Sequence, residues 1–173
     1  MHHIAERGNM ILSKYPITFT HELWTAGEFQ ADFTKDMPYN SARNVVHCRV
    51  DTPAGFLHVL TTHGYHIKSH KHGDEHTLAA CQQISEYIET LDGPVVLTGD
   101  FNLVPDSVSM QVFEGRLRNL TSDYGLSTTR NFLTSKTEPC DYILTRDIQP
   151  DRFAVLEDIV SDHSALVLEY QHQ

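Results

Sequence analysis

Apolar residues gather into short runs separated by polar stretches, and the period inside each run predicts its element. Arg43–Asp51 and Phe56–Thr62 are rich in β-forming residues. Thr52-Pro53-Ala54-Gly55 between them has a turn composition, so the two runs predict a hairpin. From Asp74 to about Leu91, the residues Leu78, Cys81, Ile84, Tyr87, Ile88 and Leu91 recur at three- and four-residue steps. That is one face of an amphipathic helix, which Asp92-Gly93-Pro94 ends. Val95-Val96-Leu97-Thr98 is continuously apolar, as expected of a central strand covered on both faces. A short helix is expected after Pro105, capped by Asp106 or Ser107, with Met110, Val112 and Phe113 turned inward. Tyr142–Leu144 and Ala165–Leu168 predict further strands, with another at Arg152–Leu156. Upstream, Asn9–Ser13 is an apolar run closed by Lys14-Tyr15-Pro16-Ile17, which reads as a strand leaving its sheet. Residues 20–42 read as irregular and polar, with one strand near Gly27–Phe33.

No repeat, low-complexity segment or linker divides the chain, so residues 1–173 are expected to form one domain. Strands covered by at least one long helix suggest a sandwich of sheets flanked by helices. The net charge of −10 weighs against tight binding to duplex DNA, whose affinity comes from Lys and Arg on phosphates. It leaves a phosphate substrate open, because carboxylates that hold a metal add to the negative count and the metal reverses the local sign. Cys48, Cys81 and Cys140 are scattered and form no CxxC, which favours a reducing, cytoplasmic compartment. No run of apolar residues is long enough to predict a membrane span.

Candidate chemistry lies where the strands stop. Asp100 and Asn102, in Gly99-Asp100-Phe101-Asn102, point the same way if the strand stays extended through them. Asp100 can hold or deprotonate a water, and Asn102 can donate to a phosphoryl oxygen or ligate a cation. A strand followed by an Asx turn is the structural alternative. Asp162-His163 precedes the last strand; Asp162 is a hard oxygen ligand for Mg²⁺ or Mn²⁺, and His163 can stabilise phosphoryl charge or take a proton. Asp141 can orient His163 as the third member of a triad does; the structural alternative is that Asp162 caps a turn and His163 lies at the surface. His63 ends the run that begins at Leu57, on the same side as Val59 and Thr61; a satisfied structural histidine is the ordinary reading, and the other strand ends give it interest. Arg130 and Arg43 can clamp a phosphate, against the alternative of exposed structural arginines. His66, His70, His72 and His76 have spacings open to a zinc site, but Lys68 and Lys71 interleave and a solvated, mobile loop is the ordinary reading.

Taken in order, these motifs resemble the endonuclease/exonuclease/phosphatase superfamily, which includes DNase I-like nucleases, abasic-site endonucleases, neutral sphingomyelinases, inositol-phosphate 5-phosphatases and deadenylases. Gly8-Asn9-Met10-Ile11-Leu12-Ser13-Lys14-Tyr15-Pro16-Ile17 is similar to its GNAILSRYPI segment. Thr61-Thr62-His63 is similar to its NTH strand end. Gly99-Asp100-Phe101-Asn102 matches its GDFN, Asp141-Tyr142 its DY, and Ser161-Asp162-His163 its terminal SDH. The resemblance covers essentially the whole chain and implies a four-layered α/β/β/α sandwich. It also implies Mg²⁺- or Mn²⁺-dependent in-line hydrolysis of a phosphoester by water. On this reading His63, Asp100, Asn102, Asp141 and His163 are catalytic, and Arg43 and Arg130 bind substrate. Asp162, Asp100 and Asn102 face the metal.

The chain departs from the family pattern at its amino end. The resemblance implies an earlier strand carrying an Asn and a later one carrying a metal-binding Glu, and neither is matched; Glu6 lies too close to the first motif, and Glu22 and Glu28 lie after it. Three explanations stay open: truncation of a longer enzyme, the favoured one; a partner chain that supplies the missing strands; and a degenerate, non-catalytic form. A protein that binds transition metal through the His cluster is a further alternative.

Overall fold

A computed structural model describes residues 8–31, 37–38 and 40–171. Its main feature is a six-stranded sheet in the order β1-β2-β3-β4-β6-β5. The strands are β1 (Ile17–Gly27), β2 (Ala42–Thr52), β3 (Gly55–His63), β4 (Val95–Asp100), β5 (Arg118–Asn119) and β6 (Asp141–Arg146). β7 (Pro150–Val155) and β8 (Leu166–Tyr170) form a separate antiparallel pair. The helices are α1 (Glu75–Glu89), α2 (Val108–Gln111) and α3 (Leu120–Asp123). Among the described residues no helix is long and apolar enough to cross a membrane.

The predicted hairpin is β2–β3, in unbroken antiparallel register from Val45↔Thr62 to Thr52↔Gly55. The helix forms as its periodicity requires. Asp74 caps it in a capping box with Thr77, each side chain taking the other residue's backbone N–H. Cys81, Ile84 and Ile88 bury its apolar face. α1 carries the chain from β3 to β4, the crossover that a parallel pair needs.

β4 is covered on both faces, as its continuous apolar run implies. Val95 and Leu97 lie in the core shared with α1, while Val96 turns to a second core with Leu57, Ile143 and Phe153. β6 alternates in the same way, with Tyr142 and Leu144 on the helix side and Ile143 on the other. Layers of helix, sheet and the β7–β8 pair are thus present. A second helical cover over β7–β8 is not formed among the described residues, where α3 alone adds Leu120 to that side.

Three expectations are corrected. Asn9–Ser13 forms no strand; Met10 and Leu12 are exposed, and Asn9 instead donates to the backbone and side-chain oxygens of Asn44. Residues 20–27 are not irregular but lie in β1, which pairs with β2 across two register shifts. An edge strand wet on much of both faces carries little apolar signal, so its sequence reads as polar loop. The strand expected near Gly27–Phe33 ends instead at Gly27; residues 28–31 are not strand, and 32–33 lie outside the described residues. Of the two cap candidates for α2, Ser107 is the cap, accepting from the Met110 N–H at 3.3 Å.

Candidate active site

Strand register alone brings three of the candidate residues together. β3 runs parallel to β4 with His63 opposite Asp100, and β6 runs antiparallel to β4 with Asp141 opposite Asp100. The carboxyl ends of β3 and β4 therefore meet the amino end of β6 at one edge of the sheet. Gly99 makes the close approach possible: its φ is +145°, and a Cβ there would lie 2.0 Å from the Thr62 carbonyl oxygen.

The segments 128–131 and 161–164 then bring in the rest. An isolated antiparallel bridge joins Arg130 to His163, flanked by the Ser164 N–H donating to the Thr129 carbonyl at 2.9 Å. His163 Nδ1 lies 2.9 and 3.0 Å from the two Asp141 oxygens. That hydrogen bond, more than any other influence, raises the His163 pKa above its ordinary value. The Arg130 guanidinium, almost fully buried, contacts His163 Nε2. It lies 3.6 Å from Asp162 Oδ2 and 3.9 Å from Asp100 Oδ2. A carboxylate only accepts, so the proton on Nδ1 faces Asp141.

Thr129 is a positioning residue that pattern reading missed. Its buried hydroxyl donates to Asp141 Oδ2 at 2.5 Å and accepts from the N–H groups of Cys140 and Asp141 at 3.2 and 3.3 Å. Thr129→Val keeps the shape and removes all three bonds. It is expected to lower unfolding stability by about 1–3 kcal/mol, since two backbone donors lose this partner and the Asp141 carboxylate keeps only His163. An unchanged urea midpoint would count against this role.

Asp100 and Asn102 are adjacent, but not because the strand continues. β4 ends at Asp100, and Asn102 has a left-handed backbone, φ 57°. The Asn102 N–H donates to Asp100 Oδ1 at 2.7 Å, closing an Asx turn. Phe101 between them is buried against Phe113 and Tyr142 and anchors the turn in the core. The turn and the site are thus the same structure. Asp100 Oδ2 is left facing His63 Nε2 at 3.9 Å and His163 Nε2 at 3.7 Å, besides Arg130. Burial, more than the opposing pull of Asp100, lowers the His63 pKa.

The His-rich loop is docked rather than loose. The Val104 N–H donates to the Lys71 carbonyl, and the Lys71 ammonium donates to Asn102 Oδ1 at 2.5 Å. Asn40 brackets the His66 backbone with two hydrogen bonds and accepts from the Arg43 side chain. Arg43 therefore stands near the site through Asn40. The four histidines do not converge: the His70 and His72 rings stack on each other and the His76 ring on Tyr65. Among the described residues the one ligand-competent group is Asp100, Asp141 and His163, with a donor atom from each within 4.8 Å of the others.

Asp141 and His163 in that group already bond each other. The oxygens that suit a hard divalent cation are those of Asp100 and Asp162, which bracket the positive guanidinium. Asn102 Oδ1, expected as a third ligand, faces the Lys71 ammonium instead. Two carboxylates arranged about a positive group fit Mg²⁺ or Mn²⁺ in donor type, with Arg130 as the neighbour that such an ion must displace or share.

The Endonuclease/Exonuclease/phosphatase family profile matches residues 3–163. No curated protein matches the chain. Among solved structures, it is similar to a functionally unknown conserved protein from Enterococcus faecalis V583, with TM-score 0.72 and 21% identity over 92% of this chain and 68% of that one. It is similar to a mannosyl-6-phosphatase from Bacteroides thetaiotaomicron VPI-5482, with TM-score 0.69 and 20% identity over 90% and 67%. It is also similar to the human Nocturnin catalytic domain with bound sulfate, with TM-score 0.64 and 14% identity over 92% and 60%. The fold, the order of motifs and the profile agree: the chain belongs to the endonuclease/exonuclease/phosphatase family.

Proposed function

We propose that the chain hydrolyses phosphoester bonds by direct attack of water, with a divalent cation, Mg²⁺ or Mn²⁺, held by Asp100 and Asp162. One observation carries the reading. Asp100, the Asp141–His163 pair and Arg130 converge at the end of the sheet, joining a base, a buffered imidazole and a guanidinium at one point. Two neighbours support it from outside: one is named a phosphatase, and the other holds sulfate, a tetrahedral anion like phosphate.

The chain's own groups divide the work. Asp100 Oδ2 orients the attacking water and takes its proton. Asn102, with Oδ1 held by Lys71 and one Nδ2 N–H reaching the Gly64 carbonyl at 3.5 Å, has its other amide N–H for a phosphoryl oxygen. Arg130 clamps the phosphoryl group and balances its growing charge. His163, held in one orientation by Asp141, meets the same oxygens through Nε2, and His63 closes the near side. A bound cation supplies further neutralisation of phosphoryl charge.

The test is hydrolysis of bis(p-nitrophenyl) phosphate in excess Mg²⁺ or Mn²⁺, abolished by EDTA. His163→Ala is expected to lower kcat about a hundredfold. No wild-type turnover, or an unchanged rate in the variant, overturns the reading. The rival reading, a binding protein that keeps the fold without catalysis, draws on one feature: Arg130 already supplies a positive charge between Asp100 and Asp162. Calorimetry with Mn²⁺ separates the two, since binding that is lost in Asp162→Ala belongs to the enzyme.

A further inference from the structure

Arg146 and Arg130 are both drawn into the structure, but only Arg146 is satisfied there. Its guanidinium donates to the Ile88, Leu91 and Gly93 carbonyls at 3.1, 2.7 and 3.1 Å, fixing the carboxyl end of α1. Arg130 is the more deeply buried, its side chain 5% exposed against 21% for Arg146. Yet its carboxylate neighbours, Asp162 Oδ2 at 3.6 Å and Asp100 Oδ2 at 3.9 Å, lie beyond hydrogen-bond distance. Its Nε–H is buried with no acceptor among the described residues, and its close contact is His163 Nε2. A buried donor without a partner is costly, so this guanidinium is held by charge and not by fit. The charge it answers is that of Asp100 and Asp162, and the Asp162 side chain is half exposed, so the pair can be reached from solvent. Those carboxylate oxygens suit a hard divalent cation, which carries twice the charge and requires no directional acceptors.

We propose that Arg130 is an exchangeable internal counter-ion. When no cation is bound, its guanidinium neutralises Asp100 and Asp162; it gives up those oxygens to a divalent cation and turns to the phosphoryl group. This is a regulation of the site proposed above, and it rests on that reading for Asp100 and Asp162 as the cation's ligands. It gives the two placements of Arg130 one sequence: guarding the carboxylates first, clamping phosphate second. Cation and tetrahedral anion then favour each other's binding through Arg130, because the cation frees the guanidinium that the anion needs. The poor fit of the buried guanidinium is what makes the exchange cheap, since leaving forfeits no hydrogen bond to a carboxylate.

The test uses Mn²⁺ and inorganic sulfate, so that no hydrolysis intervenes. By calorimetry, Arg130→Met is expected to bind Mn²⁺ about tenfold more tightly than wild type, because the competing charge is gone. In wild type, saturating Mn²⁺ should tighten sulfate binding about tenfold, and most of that coupling should vanish in Arg130→Met. Removal of a repelling charge could raise the Mn²⁺ affinity without any movement, so a second measurement follows the side chain itself. The Arg130 Nε–H resonance, identified by its loss in Arg130→Lys, should exchange with solvent slowly without metal and at least about tenfold faster once Mg²⁺ is bound. That measurement is made on wild type and decides the matter even where Arg130→Met fails to fold. Unchanged or weaker Mn²⁺ affinity in a folded Arg130→Met, no cation binding by either protein, or Nε–H exchange indifferent to Mg²⁺ overturns the counter-ion. Exchange as expected, with no turnover in the hydrolysis assay above, would instead remove the catalytic reading and leave the counter-ion standing.

Discussion

Asp100→Asn is expected to lower kcat for phosphodiester hydrolysis about a thousandfold while leaving the fold in place. The substitution keeps what Asp100 does structurally. Its Oδ1 accepts the Asn102 N–H that closes the Asx turn, and an amide oxygen can accept the same bond. What is lost is the charge on Oδ2, the atom that faces His63, Arg130 and His163. Without it the carboxylate proposed to take the proton from water is gone, and one of the two oxygens suited to a cation becomes a weak ligand. Steady-state kinetics at saturating Mn²⁺ measure the first effect, and Mn²⁺ titration of the same protein measures the second. A variant that turns over within tenfold of wild type would place the base elsewhere. Asp100→Ala is the less informative variant, because it also opens the turn and frees Asn102 from its left-handed conformation.

The parts legible in the sequence were those whose signal is local. The β2–β3 hairpin, α1 and β4 declare themselves because a half-buried strand, an amphipathic helix and a doubly covered strand each impose a period on neighbouring residues. β1 does not, because an edge strand exposes most of its residues and leaves alternation without burial to reinforce it. At the site, motif order pointed to Asp100, Asn102, Asp141 and His163, and the register of β3, β4 and β6 places His63, Asp100 and Asp141 side by side. The backbone at Asn102 was read as extended or as an Asx turn. Its φ of 57° selects the turn, which brings Asn102 beside Asp100 without a second strand residue. Thr129 and Lys71 stayed unread as supports because their partners lie 12 and 31 residues away, and nothing in a linear pattern marks a hydroxyl under Asp141 or an ammonium on Asn102. The His loop was read as solvated and mobile; Lys68, Ser69, His70 and His72 are indeed exposed, while two backbone anchors and one lysine tie the loop down.

Acidification from pH 7 to about pH 4 is expected to remove about 3 kcal/mol of unfolding stability through His47. His47 on β2 is buried, and burial, then His58 and His21, lowers its pKa to about 4. Its neighbours explain the direction. Nδ1 lies 2.8 Å from the Tyr87 hydroxyl on α1, and Nε2 lies 2.9 Å from His58 Nδ1 on β3. His21 from β1 approaches from the edge, and its ring packs against Tyr87. Beyond His58 lie Asp92, 3.8 Å from its Nε2, and Arg49. One extra proton can be shared along the His47–His58 bond with Asp92 opposite, but a second places two positive rings with centroids 5.0 Å apart under α1. The folded state therefore resists the proton that the unfolded chain takes up below about pH 6.5. The sign follows: the depressed folded pKa leaves stability intact above pH 6.5, and it is lost as pH falls towards 4. Urea midpoints at pH 7, 5.5 and 4.5 measure the loss. His47→Gln, which keeps an amide between Tyr87 and His58 but cannot titrate, should flatten the pH dependence by most of this amount. If wild type and His47→Gln lose stability in parallel, the acid sensitivity belongs to the carboxylates and this buried pair is inert.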